Sequence, residues 1–285
     1  MANTGAAELL ATWEAGLAEA PTGRALLLHR AARPDVGAAS LPVLPVGERE
    51  ADLFALRRAL FGERMQVRLG CSACGEDMEF DLDAGEFARS LGVRNASGDG
   101  HGGSGDGQGG SPGEYGGPVG HGGPVGGGDS SAGPDPSAGA VVRVRQDDWD
   151  VSFRLPGVAD LTEAALAADP RAALLARCVV AATRDGAAVA AGDLPAPVQR
   201  RIAEAVEAAD PGADVTLNVG CPECGAATRA ELDIASYLWT ELDAWARDLL
   251  LDVHLLATSY GWSEPEILAL SPLRRRYYLE LCADV

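Results

Sequence analysis

Lysine is missing from this 285-residue chain: all 23 of its basic residues are arginine. There is therefore no lysine for Schiff-base chemistry or for a Walker-type phosphate loop. Positive charge as a whole is scarce. Against 42 acidic residues it leaves a formal net charge of −19, which argues against generic binding to nucleic acid or to an anionic membrane. Long apolar runs are lacking as well, since Leu249, Leu250 and Leu251 are soon followed by Asp252 and His254, and no membrane span is expected. The segment from Met1 to Gly5 has neither the basic nor the apolar stretch of a secretory signal, so the expected location is the cytoplasm. Also absent are a glycine-rich phosphate loop, a GxSxG elbow, and a histidine visibly placed to activate a serine or cysteine. The expectation is a protein that is not an enzyme and has no small-molecule substrate.

What the chain does have is a motif written twice. Val67-Arg68-Leu69-Gly70-Cys71-Ser72-Ala73-Cys74-Gly75 and Leu217-Asn218-Val219-Gly220-Cys221-Pro222-Glu223-Cys224-Gly225 are variants of one another. Each is an apolar, strand-like approach, then Gly-Cys-x-x-Cys-Gly, then a segment ending Asp81-Leu82-Asp83 or Glu231-Leu232-Asp233. Thiolates at i and i+3 of a tight turn can both reach one ion, and a zinc ion takes four such ligands in a tetrahedron. The glycine after the second cysteine permits a positive φ, so backbone amides can fold back toward the sulfurs. The spacing predicts two β-hairpin knuckles that meet in one structural zinc site made of Cys71, Cys74, Cys221 and Cys224. About 146 residues separate Cys74 from Cys221, far more than in a compact ribbon, so the rest of the fold must bring the halves together.

Three other readings compete. A thioredoxin-like pair would sit at a helix N-terminus after a strand, whereas here glycine follows each second cysteine and the motif recurs. Two separate disulfides would close small, strained rings. A catalytic zinc would need an open coordination position, which four thiolates do not leave. Cys178 and Cys282, outside the motifs, are expected as small core residues.

Apolar spacing predicts helices over residues 8–20, 22–32 and 47–60, the last ended by Gly62. Residues 97–140 are glycine-rich, with Ser, Asp and Pro and an echoed Gly-Gly-Pro-Val-Gly at 116–120 and 122–126. A segment so poor in apolar groups is expected to be a disordered insertion, and His101 and His121 within it to be solvated loop residues. Val142, Val144, Trp149, Val151 and Phe153 predict two strands about a turn at residues 146–148. Helices are then expected over 161–168, capped by Asp160, over 171–183 and over 195–209. The expected class is α+β and mainly helical. Its expected segments are 1–96, the insertion 97–140, 141–214 and 215–285, with 1–96 and 141–285 forming one composite domain.

Toward the C-terminus, Ile234, Leu238, Leu242, Trp245, Leu249, Val253 and Leu256 recur at threes and fours, predicting one amphipathic helix over 233–260 stopped by Gly261. His254, within this helix, is expected to be a partly buried packing residue rather than a ligand. Ser263 and Glu266 form a capping box, and Ser271-Pro272 opens a last helix over 273–281. Arg274, Arg275 and Arg276 stand in its first turns, at the positive end of the helix dipole, where cations are disfavoured. They either meet an acidic partner or pair with the chain's own carboxylates. Trp262, Tyr277, Tyr278 and the three arginines are the candidate partner-binding residues, because such side chains anchor interfaces.

Three stretches carry a family resemblance. They are Val151-Ser152-Phe153-Arg154-Leu155-Pro156 with Asp160-Leu161, the paired knuckles, and the tail that runs from His254 through Tyr260-Gly261-Trp262 and Ile267-Leu268 to Arg274-Arg275-Arg276-Tyr277-Tyr278-Leu279. Together they resemble the baseplate or hub-assembly proteins of contractile phage tails and phage-tail-like injection systems, in a zinc-knuckle variant. The resemblance implies a non-enzymatic assembly factor or baseplate component whose partners are other baseplate or tail proteins. The competing reading is a zinc-ribbon adaptor of transcription or translation machinery. Such a ribbon normally carries a basic patch, whereas Glu76, Asp77, Glu79, Asp81, Asp83 and Glu223 crowd these knuckles. A thiol oxidoreductase is the third reading, and it would require accessible, redox-active cysteine pairs.

Overall fold

Helix α1 (Ala6–Leu17) turns Leu9, Leu10 and Trp13 inward at helical spacing, and the Glu8 carboxylate accepts the Gly5 N–H that its first turn leaves unpaired. This computed structural model describes residues 5–89 and 141–283; the expected insertion, with His101 and His121, lies outside the described residues. Helix α2 (Pro21–Ala32) starts on a proline, which suits a position whose N–H has no helical acceptor. Helix α3 (Val46–Phe61) stops at Gly62, whose φ of 85° ends the helical path. At its other end the Gly47 N–H donates to Asp210 at 3.0 Å. A Cβ at residue 47 would lie 1.8 Å from that carboxylate, so only glycine allows this contact.

The first hairpin pairs β1 (Arg64–Gly70) with β2 (Asp77–Asp83), and helical residues resume at 84. After the gap, β3 (Val141–Gln146) and β4 (Trp149–Arg154) form the expected pair, turning on Asp147 at φ 52°. Helix α4 (Val158–Ala165) and helix α5 (Pro170–Cys178) follow, and then β5 (Val179–Arg184) and β6 (Ala187–Ala188) complete a four-stranded antiparallel sheet in chain order. The helix expected over 171–183 therefore ends at Cys178. Val179, Val180 and Thr183 are β-branched and suit the sheet, and pairing with β4 overrides the apolar spacing that suggested one continuous helix. Helix α6 (Ala196–Ala209) lays Val198 and Ile202 on this sheet against Val144, Val151 and Phe153.

Asp160 also departs from expectation. Gly157 takes the N-cap position of α4, and Asp160 stands three residues later, accepting the Gly157 N–H at 3.0 Å. Its side chain is 1% exposed and is held by Arg154 at 2.5 and 2.7 Å and by Arg177 at 2.9 Å. Burial opposes its charge, but these two guanidinium groups and the N–H prevail and hold its pKa down to about 2. Because the folded value lies below the unfolded one, the stabilisation is complete above roughly pH 4 and is lost as pH falls through about 2. Asp160→Asn should therefore cost on the order of 2 kcal/mol at pH 7, and the gap between wild type and variant should narrow to less than about half of that at pH 2.5. Urea melts at the two pH values measure this; an equal gap at both would remove the charge from the explanation.

The second hairpin joins β7 (Thr216–Gly220) to β8 (Ala227–Glu231), and α7 (Ile234–Tyr260) leaves it from an Asp233 cap that accepts the Ser236 N–H at 3.1 Å. Ile234, Leu238, Leu242, Ala246 and Leu249 form the inner face of α7 and pack with Leu9, Trp13, Leu28, Leu53, Phe54, Met65 and Leu217. Burying each large apolar side chain contributes roughly 1.5–3 kcal/mol, so this cluster binds the N-terminal helices, both hairpins and α7 together. Gly261, in the left-handed region, ends α7. Helix α8 (Glu264–Leu268) opens on the Ser263 and Glu266 capping box, and α9 (Pro272–Ala283) closes the described chain.

Candidate metal centre

Each knuckle is built by its backbone. In the first, the Cys71 N–H donates to the Glu76 carbonyl at 2.7 Å and the Gly75 N–H to the Cys71 carbonyl at 2.9 Å. The second repeats this with Cys221 to Ala226 and Gly225 to Cys221, both at 2.9 Å. Gly75 and Gly225 take φ of 78° and 72°, a conformation L side chains rarely adopt, and this lets the chain turn back after the second cysteine. The likeness extends along the strands. Met65, Val67 and Leu69 correspond to Val215, Leu217 and Val219, and Asp83 caps its following turn as Asp233 does.

The two hairpins bring their loops together. Cys71 Sγ lies 3.7 Å from Cys224 Sγ, and Cys74 Sγ lies 3.7 Å from Cys221 Sγ. All four sulfurs fall within 4.8 Å of one another. A tetrahedron with thiolate–metal bonds of about 2.3 Å has edges of about 3.8 Å, whereas a disulfide bond spans about 2.05 Å. All six cysteines are free thiols. The four sulfurs are thus positioned to bind one metal ion. Cys71 and Cys221 are buried against Leu69, Met78 and Val219, while Cys74 and Cys224 face solvent. Thr228, also buried, accepts the Ser72 N–H at 3.4 Å, a bond that crosses from one knuckle to the other.

The electrostatics favour a cation. Backbone N–H groups of Cys74 and Ala73 point at the Cys71 sulfur and lower its pKa to about 6. The Glu76 N–H favours the Cys74 thiolate too, but the neighbouring sulfurs of Cys224, Cys71 and Cys221 outweigh it and push Cys74 up to about 12. One thiolate forms readily, and further ones meet its charge. A divalent ion removes that conflict and allows all four to ionise.

The other candidates are placed as follows. Trp262 stacks on Tyr260 with centroids 4.7 Å apart and meets Tyr278 edge-on at 4.9 Å, so two of the expected partner-facing aromatics also pack against each other. Arg275 is buried and pairs with Asp252 of α7 at 3.2 Å; Arg276 is exposed and pairs with Glu280 at 3.0 Å. The guanidinium of Arg274 has no partner among the described residues, and Tyr277 points outward. The expectation for His254 is corrected: it is exposed, because the inner stripe of α7 passes through Leu249 and Leu256 and leaves residue 254 outside it. Cys178 is buried and Cys282 half-buried. Leu273 and Leu281, exposed on α9 beside Tyr277, were not singled out by sequence; their four-residue spacing from it was the available signal.

On the hairpins, arginine pairs with carboxylate: Arg64 with Asp81, Arg68 with Glu79 and Arg229 with Asp214. Among the described residues no helix is long and apolar enough to cross a membrane. Comparison of the chain with protein-family models, curated proteins and solved structures found no match.

Proposed function

We propose that the four cysteines hold one structural zinc ion, and that the chain is a non-enzymatic assembly factor or structural component of the baseplate of a contractile injection particle. The observation that carries the metal assignment is the set of four sulfurs at tetrahedral edge spacing, drawn from loops far apart in sequence. Four protein thiolates suit zinc and leave no coordination position for substrate, which assigns the ion to the fold rather than to catalysis. The baseplate assignment rests on the resemblance of the Phe153–Pro156 segment, the knuckles and the C-terminal tail to proteins of those particles. It is supported by Trp262 in the loop before α8 and by the arginines and tyrosines of α9, which offer anchors to a protein partner. The adaptor reading loses ground because the hairpin arginines Arg64, Arg68 and Arg229 pair with carboxylates, where a nucleic-acid-facing ribbon would present a basic patch.

Purified chain should contain close to one zinc per molecule by elemental analysis. Pull-down from the native host should recover tail or baseplate proteins, and the double change of the exposed Arg274 and Arg276 to Ala should lose them while zinc content stays. Well under one zinc would refute the metal assignment, and ribosomal or polymerase subunits in the pull-down would favour the adaptor.

A further inference from the structure

A cleft of 1130 Å³ opens between α5, α6 and the second hairpin. Phe153 of β4 and Ile202 of α6 line it and are buried. Leu174, Leu175, Val179 and Val206 line it too but are only half-buried, so they turn apolar surface toward the cleft that no described residue covers. Phe153 is the one aromatic among the lining residues, which include no tryptophan, tyrosine or histidine. The cleft therefore offers little to stack a planar ligand and much to cover a flexible aliphatic one. Its volume slightly exceeds the roughly 300–1,000 Å³ of small-molecule sites, which leaves room for an extended chain.

Two arginines give the cleft its polarity. Arg171 of α5 and Arg200 of α6 line it and are exposed, and neither has an ion pair or hydrogen bond among the described residues. That is unexpected in a chain whose acidic residues outnumber its arginines by 42 to 23. The cleft's own carboxylates are mostly engaged elsewhere. Glu204 pairs with Arg201 at 3.0 Å, and Asp210 accepts the Gly47 N–H at 3.0 Å. Asp214 accepts the Thr216 hydroxyl at 2.6 Å and lies 3.7 Å from Arg229. Two unpaired guanidinium groups thus stand against one unpaired lining carboxylate, Glu207. A guanidinium fork matches a carboxylate or phosphate head, and an alkyl chain behind that head would cover the leucines and valines. We propose that this cleft binds an aliphatic chain with an anionic head, of the fatty-acid or alkyl-phosphate class. The proposal goes beyond the metal and baseplate readings and depends on neither.

Calorimetric titration of the full chain with ten-carbon amphiphiles tests it. Decanoate or decyl phosphate should bind one per chain, with Kd on the order of 100 µM. The uncharged 1-decanol and the cationic decyltrimethylammonium should bind at least about tenfold more weakly. Changing Arg171 and Arg200 together to Ala should weaken decanoate about tenfold and leave 1-decanol unchanged. Ala203→Trp, which fills the cleft from an exposed position on α6, should abolish binding with an unchanged thermal melt. Vesicles of phosphatidylglycerol separate the sources of such a head. Co-sedimentation that decanoate displaces assigns the ligand to a membrane lipid, and its absence beside decanoate binding assigns it to a free amphiphile. No saturable binding of either anion up to about 5 mM overturns the proposal. So does decanoate binding that survives Ala203→Trp, or that 1-decanol equals. Zinc content and the host pull-down are read separately, so neither outcome bears on them.

Discussion

Cys221→Ser is expected to lower the melting temperature by about 10–20 °C and to make Cys71 and Cys74 reactive toward an alkylating reagent at neutral pH. Cys221 is one of the two buried cysteines of the cluster, and its sulfur faces Cys74 across the site. A bridge between the knuckles closes a loop of about 150 residues, and by the loop-closure model a cross-link of that length removes about 5 kcal/mol of unfolded-chain entropy. For a chain of this size each kcal/mol shifts the melting point by about 2–4 °C. In the proposed zinc site, loss of one of four sulfurs would release the ion and with it the charge that allows the remaining thiolates to ionise together. Chelation of the wild-type protein should reproduce the variant's melt and its alkylation. A melting curve unchanged by the substitution would show that the core alone holds the hairpins in place.

Arg57→Ala should cost about 3–5 kcal/mol, the loss typical of breaking a buried ion pair from one side. The Arg57 side chain is 2% exposed. Its Nε and Nη2 donate to both oxygens of Glu241 at 2.8 and 2.6 Å, and Nη1 and Nη2 donate to the carbonyls of Gly62 and Arg64 at 2.7 and 2.6 Å. One guanidinium thereby ties the end of α3 and the entry to the first hairpin to the helix that leaves the second. Truncation strands a carboxylate and two carbonyls together. Arg57→Lys keeps the charge but not the planar fork and should fall between the two. Because this residue orients one knuckle against the other, the alanine variant should also surrender its metal at a lower chelator concentration. Denaturant titration showing a loss under about 1 kcal/mol would leave Arg57 without this role.

Much of the local structure was legible in the residues. The knuckle loops follow from Cys-x-x-Cys-Gly because the glycine at positive φ and the amides around the first cysteine are neighbours in sequence. Helix α7 follows from its apolar period, the Asp233 cap and Gly261, all of them within its own span. Those features depend on contacts a few residues apart, which the order of amino acids states directly.

Asp160, β5 and the arginine cluster were decided elsewhere. Asp160 reads in sequence as an N-cap, and only the fold closes Arg154 and Arg177, from β4 and α5, over it. Val179 to Thr183 can continue a helix or join a sheet, and β4 beside them settles the choice. Three successive arginines look alike in sequence, yet the turn of α9 against α7 buries Arg275 on Asp252 and leaves Arg274 and Arg276 outside. The sequence by itself determined the two half-sites, since each is a local turn with two thiols. Only the tertiary structure decided that they meet. That juxtaposition depends on Met65, Leu217, Leu238 and their neighbours packing into one core, where energy is shared among groups far apart in the chain.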